Sequence, residues 1–189
     1  IWNAGLSLGS AGQAVKVNAA GNALEFGAVA GGKIGQVLQT VKTSTFSHTF
    51  GSGHSFTNIT GLSQAITPVA TSSKVLIMVG VNAFSDDGSQ ATIDTLRDST
   101  QIFVGDTASN KISATAMANL NAGTSDWSIS NIHYTFLDSP NTTSATTYQV
   151  RLGGFSSGTH HINRSERDTA GTSYDNRLAS SITLMEVLA

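Results

Sequence analysis

The segment at residues 12–27, GQAVKVNAAGNALEFG, most constrains how this chain can fold. Two short runs with alternating apolar residues, at 14–17 and 23–26, flank a turn-forming cluster at 18–22. This pattern predicts a β-hairpin. A two-stranded hairpin is marginally stable in water, and this one has too few large side chains to bury a core. We therefore expect it to pack against further copies of itself, as at the end of a thin multi-chain shaft.

The composition favours a β-protein with a hydroxyl-rich surface. Charged residues make up 12% of the chain, about half of the roughly 25% that is usual, and Ser, Thr and Gly take their place. Such a surface suits virion proteins and extracellular adhesive proteins, although a soluble β-domain with no special habitat has the same composition. The ten basic residues are scattered along the chain, which argues against nucleic acid as a partner because phosphate neutralisation needs a basic face.

Two further features of the composition exclude function classes. The chain has no cysteine, so neither disulfides nor thiol catalysis are available. Its apolar runs are all shorter than the ~20 residues of a membrane span, and we expect no membrane insertion. The chain does not begin with Met, and we expect it to be a fragment or a processed product.

The spacing of glycines predicts two parts. Gly31 and Gly32 interrupt any regular element, and stronger strand patterns follow them. We therefore expect a neck or shaft end at 1–34 and a head at 35–189. The head has strand-like runs separated by Gly, Ser, Asn and Asp at 36–42, 62–67, 74–81, 91–96, 101–104, 111–117, 127–137, 148–152 and 181–188. This pattern predicts an all-β, antiparallel sandwich or jelly roll.

One predicted strand, at 74–81 (KVLIMVGV), is apolar on both faces. Strands of antiparallel sheets normally alternate, because one face meets water. Either the chain's own loops cover the second face, or a neighbouring subunit does. The second alternative agrees with the needs of the hairpin and predicts an assembly of several copies of the chain. The candidate interface residues are Val15, Val17, Leu24, Phe26, Leu76 and Met78.

Patterns that indicate catalysis or metal binding are weak. His160 and His161 are adjacent, so in a regular strand they point to opposite faces and cannot share one ion; we expect a surface loop pair. Asp94 and Asp98 are available as a carboxylate pair for sugar cleavage, but twelve acidic residues supply such pairs by chance. We predict no catalytic residue, no metal and no cofactor.

The longest loop-like region, 158–174, is polar, and recognition usually resides in such loops. Aromatic residues near loops add possible stacking surfaces for sugar rings, although most aromatic residues in a sandwich serve the core. The receptor-binding candidates chosen on these grounds are Trp127, His160, His161, Asn163, Arg164, Arg167 and Tyr174.

Nearly the whole chain resembles the tail fibre proteins of tailed bacteriophages, especially those of marine phages. The leader GQAVKVNAAGNALEFG with GKIGQVLQTV looks like the junction between shaft and head. The order of the later segments FTNITGL, AITP, SSKVLI, LDSP, TSATTY and ASSITLMEV looks like the two halves of such a head. Individual segments are of low complexity, and their order carries the resemblance.

The resemblance implies a homotrimeric, non-enzymatic fibre tip on the virion that attaches the phage to a bacterial surface. The receptor of such a tip is a glycan or an outer-membrane protein, and we expect a glycan here. The N-terminal side would connect to the rest of the phage tail. Two alternatives stay open, namely a polysaccharide depolymerase carried on the same kind of fibre and a structural head-fibre or decoration module.

Overall fold

The structure, a computed structural model, describes residues 9–28, 33–85, 90–119, 129–155, 158–171, 173 and 175–188. The chain divides into two compact units, Ile1–Lys33 and Ile34–Ala189. All regular elements of the described residues are strands: β1 Gln13–Val17, β2 Leu24–Ala28, β3 Ile34–Lys42, β4 Phe46–Thr49, β5 Ser55–Ile66, β6 Lys74–Ser85, β7 Gln90–Arg97, β8 Thr100–Ile102, β9 Ala116–Asn119, β10 Ser130–Asp138, β11 Thr146–Gly154, β12 Thr159–Ile162 and β13 Ser180–Val187.

The first unit contains the predicted hairpin. β1 and β2 pair antiparallel, with Val15 opposite Phe26 and Val17 opposite Leu24. Asn18 organises the turn, because its side-chain oxygen accepts hydrogen bonds from two backbone N–H groups across the loop. Gly21 supplies the positive φ of 71° that the turn needs and that glycine adopts without steric cost.

A six-stranded antiparallel sheet forms one layer of the second unit. Its strands run in the order β3-β13-β6-β12-β4, and β10 pairs with the other edge of β6. The long strand β6 is the centre of this sheet, since it pairs with β10 along one edge and with β13 and β12 along the other.

A five-stranded antiparallel sheet forms the second layer, in the order β5-β11-β7-β8 with β9 also paired to β7. The register of β5 and β11 shifts between Gln149 and Arg151. The Gln149 side-chain amide occupies this bulge and donates to the carbonyls of Ile59 and Leu62, at 3.2 Å each. A bulge bends a strand locally, and here a side chain satisfies the carbonyls that leave the ladder.

The core lies between the two sheets. It contains Val75, Ile77, Val79, Val81, Ile132, Phe136, Ile182 and Leu184 from the six-stranded sheet and Ile59, Leu62, Ile66, Ile93, Tyr148, Val150 and Leu152 from the five-stranded sheet. Polar contacts also join the two sheets. The hydroxyls of Tyr134 and Thr95 lie 2.7 Å apart, and the Tyr148 hydroxyl donates to Asp138 at 2.7 Å. Burial raises the pKa of Tyr134. The described head is therefore an all-β antiparallel sandwich, as the strand spacing predicts.

Glu186 lies buried on β13 near one end of the six-stranded sheet. Its carboxylate accepts hydrogen bonds from Gln36 Nε2 at 2.8 Å and from the Val69 N–H at 2.7 Å. Burial by itself raises the pKa of Glu186, but these hydrogen bonds outweigh it and hold the pKa below its ordinary value. The carboxylate thus connects β13 to β3 and to the segment that follows β5.

Candidate functional site

Three of the predicted receptor-binding residues lie in the interior of the head. His160 and His161 belong to β12, and are 0% and 7% exposed. His160 packs edge-on against Phe50, whereas His161 Nδ1 lies 2.8 Å from the Ser47 hydroxyl on β4. The prediction of a surface loop pair is therefore wrong for these two residues, because a short strand places them inside the sheet.

Asn163 is fully buried directly after β12. Its Nδ2 donates to the carbonyls of Lys42 at 2.7 Å and Ser44 at 3.1 Å, while its Oδ1 accepts from the Ser180 hydroxyl at 2.6 Å. Its backbone φ is 63°, a left-handed conformation in which asparagine is several-fold enriched. The side chain fastens the chain between β3 and β13, and a residue in this position is out of reach of a surface ligand.

Arg164 and Arg167 lie in the polar segment after β12, as predicted, and both are engaged by carboxylates of the same segment. Arg164 pairs with Asp168 at 3.4 Å. Arg167 donates through Nε and Nη2 to Asp175, at 3.1 Å and 2.7 Å. These ion pairs stiffen the segment and neutralise much of its charge. Trp127 and Tyr174 lie outside the described residues, and receptor contact by the two arginines stays a prediction.

The predicted interface residues of the hairpin are partly accessible within one chain. Val15, Val17 and Leu24 are 50%, 60% and 50% exposed, and Phe26 is half-buried. The hairpin thus presents apolar side chains that its own two strands leave accessible to water.

The outer face of the six-stranded sheet carries a second apolar surface. Along β6 the odd-numbered residues Val75–Val81 face the core, while Leu76 and Met78 face outward and are half-buried. The register places Val37 opposite Met185, Met185 opposite Leu76, and Leu76 opposite Leu137. We call these four side chains, which cross β3, β13, β6 and β10 in one line, the outer apolar row. Sequence reasoning found only its β6 member, because the other three come from strands far apart in the chain.

Asp94, one of the two carboxylates considered for sugar cleavage, is held by neighbours. It is 0% exposed on the outer face of the five-stranded sheet. Arg151 donates to it through Nε at 2.9 Å and through Nη2, and Gln101 donates through Nε2. The Arg151 guanidinium also lies 4.7 Å above the Phe56 ring. Both carboxylate oxygens of Asp94 are thus occupied by side chains of the same sheet and its neighbouring segment, which suits a structural ion pair better than contact with a substrate.

Asp98, the other carboxylate considered for sugar cleavage, stabilises a turn. Its φ is 54°, its N–H donates to the Thr147 carbonyl at 2.7 Å, and its side chain accepts from the Thr147 N–H at 2.9 Å. This reciprocal pair fixes the turn between β7 and β8 against β11.

The remaining chemistry is sparse. Within the described ranges, no three His, Cys, Asp or Glu side chains are grouped so that they could hold a metal ion. Among the same residues, no helix is long and apolar enough to cross a membrane. His54 contacts the Thr92 hydroxyl at 2.9 Å, and partial burial lowers its pKa against the opposing attraction of Asp94.

The fold defines the class of this protein, a two-sheet antiparallel β-sandwich preceded by a β-hairpin. No protein-family model matches the chain, and no curated protein matches its sequence. Among solved structures, the chain is similar to proteins of infectious bursal disease virus. A structure of the Gx strain is 11% identical with a TM-score of 0.41, and one of the Gt strain is 10% identical with a TM-score of 0.43.

The alignments to the Gx and Gt structures cover 93% of this chain and 41% and 42% of the viral chains. A crystal structure of the VP2 subviral particle of the same virus is 10% identical with a TM-score of 0.35, and the alignment covers 46% of that chain. This chain therefore spans less than half the length of each of these viral chains. At TM-scores below 0.5, these similarities support no conclusion about what this chain binds or assembles with.

Proposed function

We propose that this chain is the receptor-binding tip of a phage tail fibre, that it acts as a homotrimer on the virion, and that it attaches the particle to a bacterial surface without enzymatic activity. The sequence resemblance to tail fibre proteins supports the attachment role. The main support for the assembly is the hairpin with its accessible apolar side chains, because further chains can bury the apolar surface that a single hairpin leaves in water.

The energy available from the hairpin is substantial. Val15, Val17 and Leu24 keep about half of their surface in water. Full burial of such a side chain contributes about 1.5–3 kcal/mol, so the remaining half is worth about 1 kcal/mol each. Three copies of three side chains then supply several kcal/mol, which favours association of a segment that is too small to have its own core.

The outer apolar row offers the head a surface of the same character. Val37 and Leu137 at its two ends are 55% and 49% exposed, and Met78 extends it by one position along β6. In the proposed trimer the row packs against a second copy. Three equivalent tips would then bind one surface together, so that each site can be weak while the avidity is high.

Sedimentation equilibrium tests the assembly. We expect a mass three times the 19.5 kDa of the chain. Leu76→Asp should lower the association state, because it places a charge in the centre of the row. The matched control is Thr60→Asp, an equally simple change at an exposed position of the edge strand β5. A wild-type mass of 19.5 kDa would refute the trimer, and an unchanged trimer in Leu76→Asp would remove the row from the interface.

Binding to cells tests the attachment role. Fluorescently labelled protein should adsorb to cells of at least one strain in a panel of marine bacteria, and unlabelled protein should compete with it. A structural head-fibre module would bind none of the strains. Release of new reducing ends from surface polysaccharide, lost in a folded Asp94→Asn variant, would instead establish a depolymerase. The ion pair of Asp94 with Arg151 favours the non-enzymatic alternative.

A further inference from the structure

The six-stranded sheet has two long edge strands. Among the described residues, β3 pairs only with β13 and β10 pairs only with β6, and each edge strand has nine residues. Apart from the Lys42 carbonyl, which accepts from Asn163, no backbone group of either strand has a hydrogen bond outside these two ladders in the part of the chain that the structure describes. Each strand therefore offers a row of backbone donors and acceptors to a further strand.

The other edge strands of the head have the features that usually protect an edge. β4, β8 and β9 have only three or four residues each, and the ladder of β5 is interrupted by the bulge at Gln149. Short strands and bulges discourage pairing with another chain. β3 is regular except near Ile34, where its register with β13 shifts. The contrast identifies β3 and β10 as the edges that can accept a partner strand.

Neither long edge has the exposed charges or prolines that would prevent such pairing. The sequences are IGQVLQTVK for β3 and SNIHYTFLD for β10. The lysine that ends β3 is buried, and the Asp138 carboxylate that ends β10 forms an ion pair with Arg97. Both strands expose apolar side chains instead, since Val37, Val41 and Leu137 are 55%, 53% and 49% exposed. A long apolar edge of this kind tends to bind another strand.

The directions of the two edges suit a ring of identical chains. β3 is antiparallel to β13, β13 is antiparallel to β6, and β6 is antiparallel to β10, so β3 and β10 run in opposite directions. Rotation about an axis along the strands keeps each strand direction, and β10 of one copy then meets β3 of the next copy in antiparallel orientation. A contact between two different surfaces of identical chains closes into a ring when the rotation is suitable.

We propose that β10 of each copy pairs with β3 of the next copy, so that the six-stranded sheets of the trimer join edge to edge. The proposal rests on the proposed homotrimer and specifies the contact between its heads. The partner of each free edge is thus a second copy of this chain, which brings a strand of the same length and of the required direction.

The outer apolar row indicates the register of this pairing. Within one chain the row crosses the whole sheet in one line, from Val37 at the β3 edge to Leu137 at the β10 edge. Pairing of Leu137 with the next copy's Val37 continues this line and covers its two exposed ends. The same register places Phe136 of the core opposite Leu38, which also packs against the core. A slip of one residue would instead bring core-facing side chains to the outer face.

Engineered cysteines test the pairing, because the chain has no cysteine of its own. Under mild oxidation the full-chain double variant Val37→Cys/Leu137→Cys should form disulfide-linked trimers, measured by non-reducing gel electrophoresis. Between paired copies the two Cα atoms would lie about 4.5–5.5 Å apart, within reach of a disulfide. Within one chain they lie on opposite edges of the sheet, three strand spacings or about 14 Å apart, so the link can form only between copies.

Three control variants accompany this experiment. Each single variant, Val37→Cys and Leu137→Cys, should stay unlinked, because unlike edges meet in the proposed ring. Val69→Cys/Leu137→Cys should also stay unlinked, because Val69 is 69% exposed but lies in the turn after β5. A double variant Val37→Cys/Leu137→Cys that stays unlinked would overturn the proposal. Equally strong linking in any control would overturn it too, because the contact would then be between like edges or unspecific.

Hydrogen exchange distinguishes edge pairing from packing of the sheet faces. Ladder bonds between copies would protect backbone amides of β3 and β10. Val37→Lys places a charge on the edge, so peptides that cover 34–42 and 130–138 should lose protection while peptides from β5 and β11 keep it. The matched control Val69→Lys should exchange like the wild type. Unchanged exchange in Val37→Lys, or equal loss of protection in β5 and β11, would contradict the pairing.

The edge pairing and the homotrimer fail in different ways. A wild-type mass of three times 19.5 kDa with no link in Val37→Cys/Leu137→Cys would refute the pairing and leave the trimer standing. A wild type that sediments as a tetramer, with links in this double variant alone, would refute the trimer and leave the pairing standing, because the same contact closes rings of different size.

Discussion

Replacement of Asn163 by alanine should destabilise the head by about 3–7 kcal/mol. The side chain makes three hydrogen bonds, of which those to the Lys42 carbonyl and the Ser180 hydroxyl are buried and that to the Ser44 carbonyl is partly buried. Loss of a buried bond costs about 1–3 kcal/mol because its partner stays unsatisfied, and the partly buried bond adds about 1 kcal/mol. This sum is a large fraction of the stability of a typical domain, about 5–15 kcal/mol.

Urea unfolding followed by circular dichroism measures the effect as a fall in the midpoint at unchanged slope. Asn141→Ala is the matched control, because Asn141 also has a left-handed backbone, with a φ of 54°, but is exposed and makes no side-chain hydrogen bond within the described residues. Both variants place alanine at a positive φ, so their difference isolates the three hydrogen bonds. A difference below about 0.5 kcal/mol, the usual scatter of surface substitutions, would refute the reasoning.

The same variant separates a structural role of Asn163 from the receptor role that the sequence suggests. At a temperature where Asn163→Ala is still folded, its adsorption to cells should equal that of the wild type, because the buried amide does not reach the surface. Lost adsorption with unchanged stability would show that Asn163 contacts the receptor and that our structural account of it is wrong.

Two further substitutions test the packing that positions the sheets. Glu186→Gln should lower the free energy of unfolding at neutral pH by about 1.5–3 kcal/mol. Because the folded pKa of Glu186 lies below its ordinary value of 4.5, its contribution is present above pH 4.5 and is lost as the pH falls through the folded pKa. Melting temperatures of wild type and variant should therefore converge in acid, and a constant difference at all pH values would contradict this. Gly154→Ala should lower the free energy of unfolding by about 1–3 kcal/mol or more, since the added Cβ would overlap the buried Phe50 ring. The control is Gly105→Ala, whose Cβ meets no atom within 4 Å and which should leave the same thermal melts unchanged. Equal melting temperatures for the two variants would show that the Phe50 ring moves aside.

Much of the architecture follows from local pattern. In β10, Ile132, Tyr134 and Phe136 face the core. The sequence predicts this strand because its apolar and polar residues alternate, and strand side chains point to alternate faces. The hairpin could be predicted for the same reason, because a turn-forming cluster lies between its two alternating runs. The apolar run at 74–81 correctly predicted a strand, which is part of β6.

The strands that sequence analysis missed lack that pattern. β12 consists of Thr159, His160, His161 and Ile162, which predict a polar loop. It is a strand because it lies between β4 and the end of β6, where both of its edges find partners. Burial of the two histidines thus depends on β6 and β4, which are about 75 and 110 residues away in the chain. The short-range pattern of the sequence gives no information about such distant neighbours.

The candidate sites likewise combine features that the sequence predicts with features that depend on the folded structure. The sequence alone determined an all-β chain, a hairpin too small to stand by itself and a strand at 74–81 that is apolar on both faces, because alternation and turn chemistry are local properties. Only the tertiary structure decided which polar residues are buried and which apolar residues form a surface, since both depend on register. It placed Asn163 inside the head and extended Leu76 into a four-strand row, because both outcomes need strands that only the folded chain brings together.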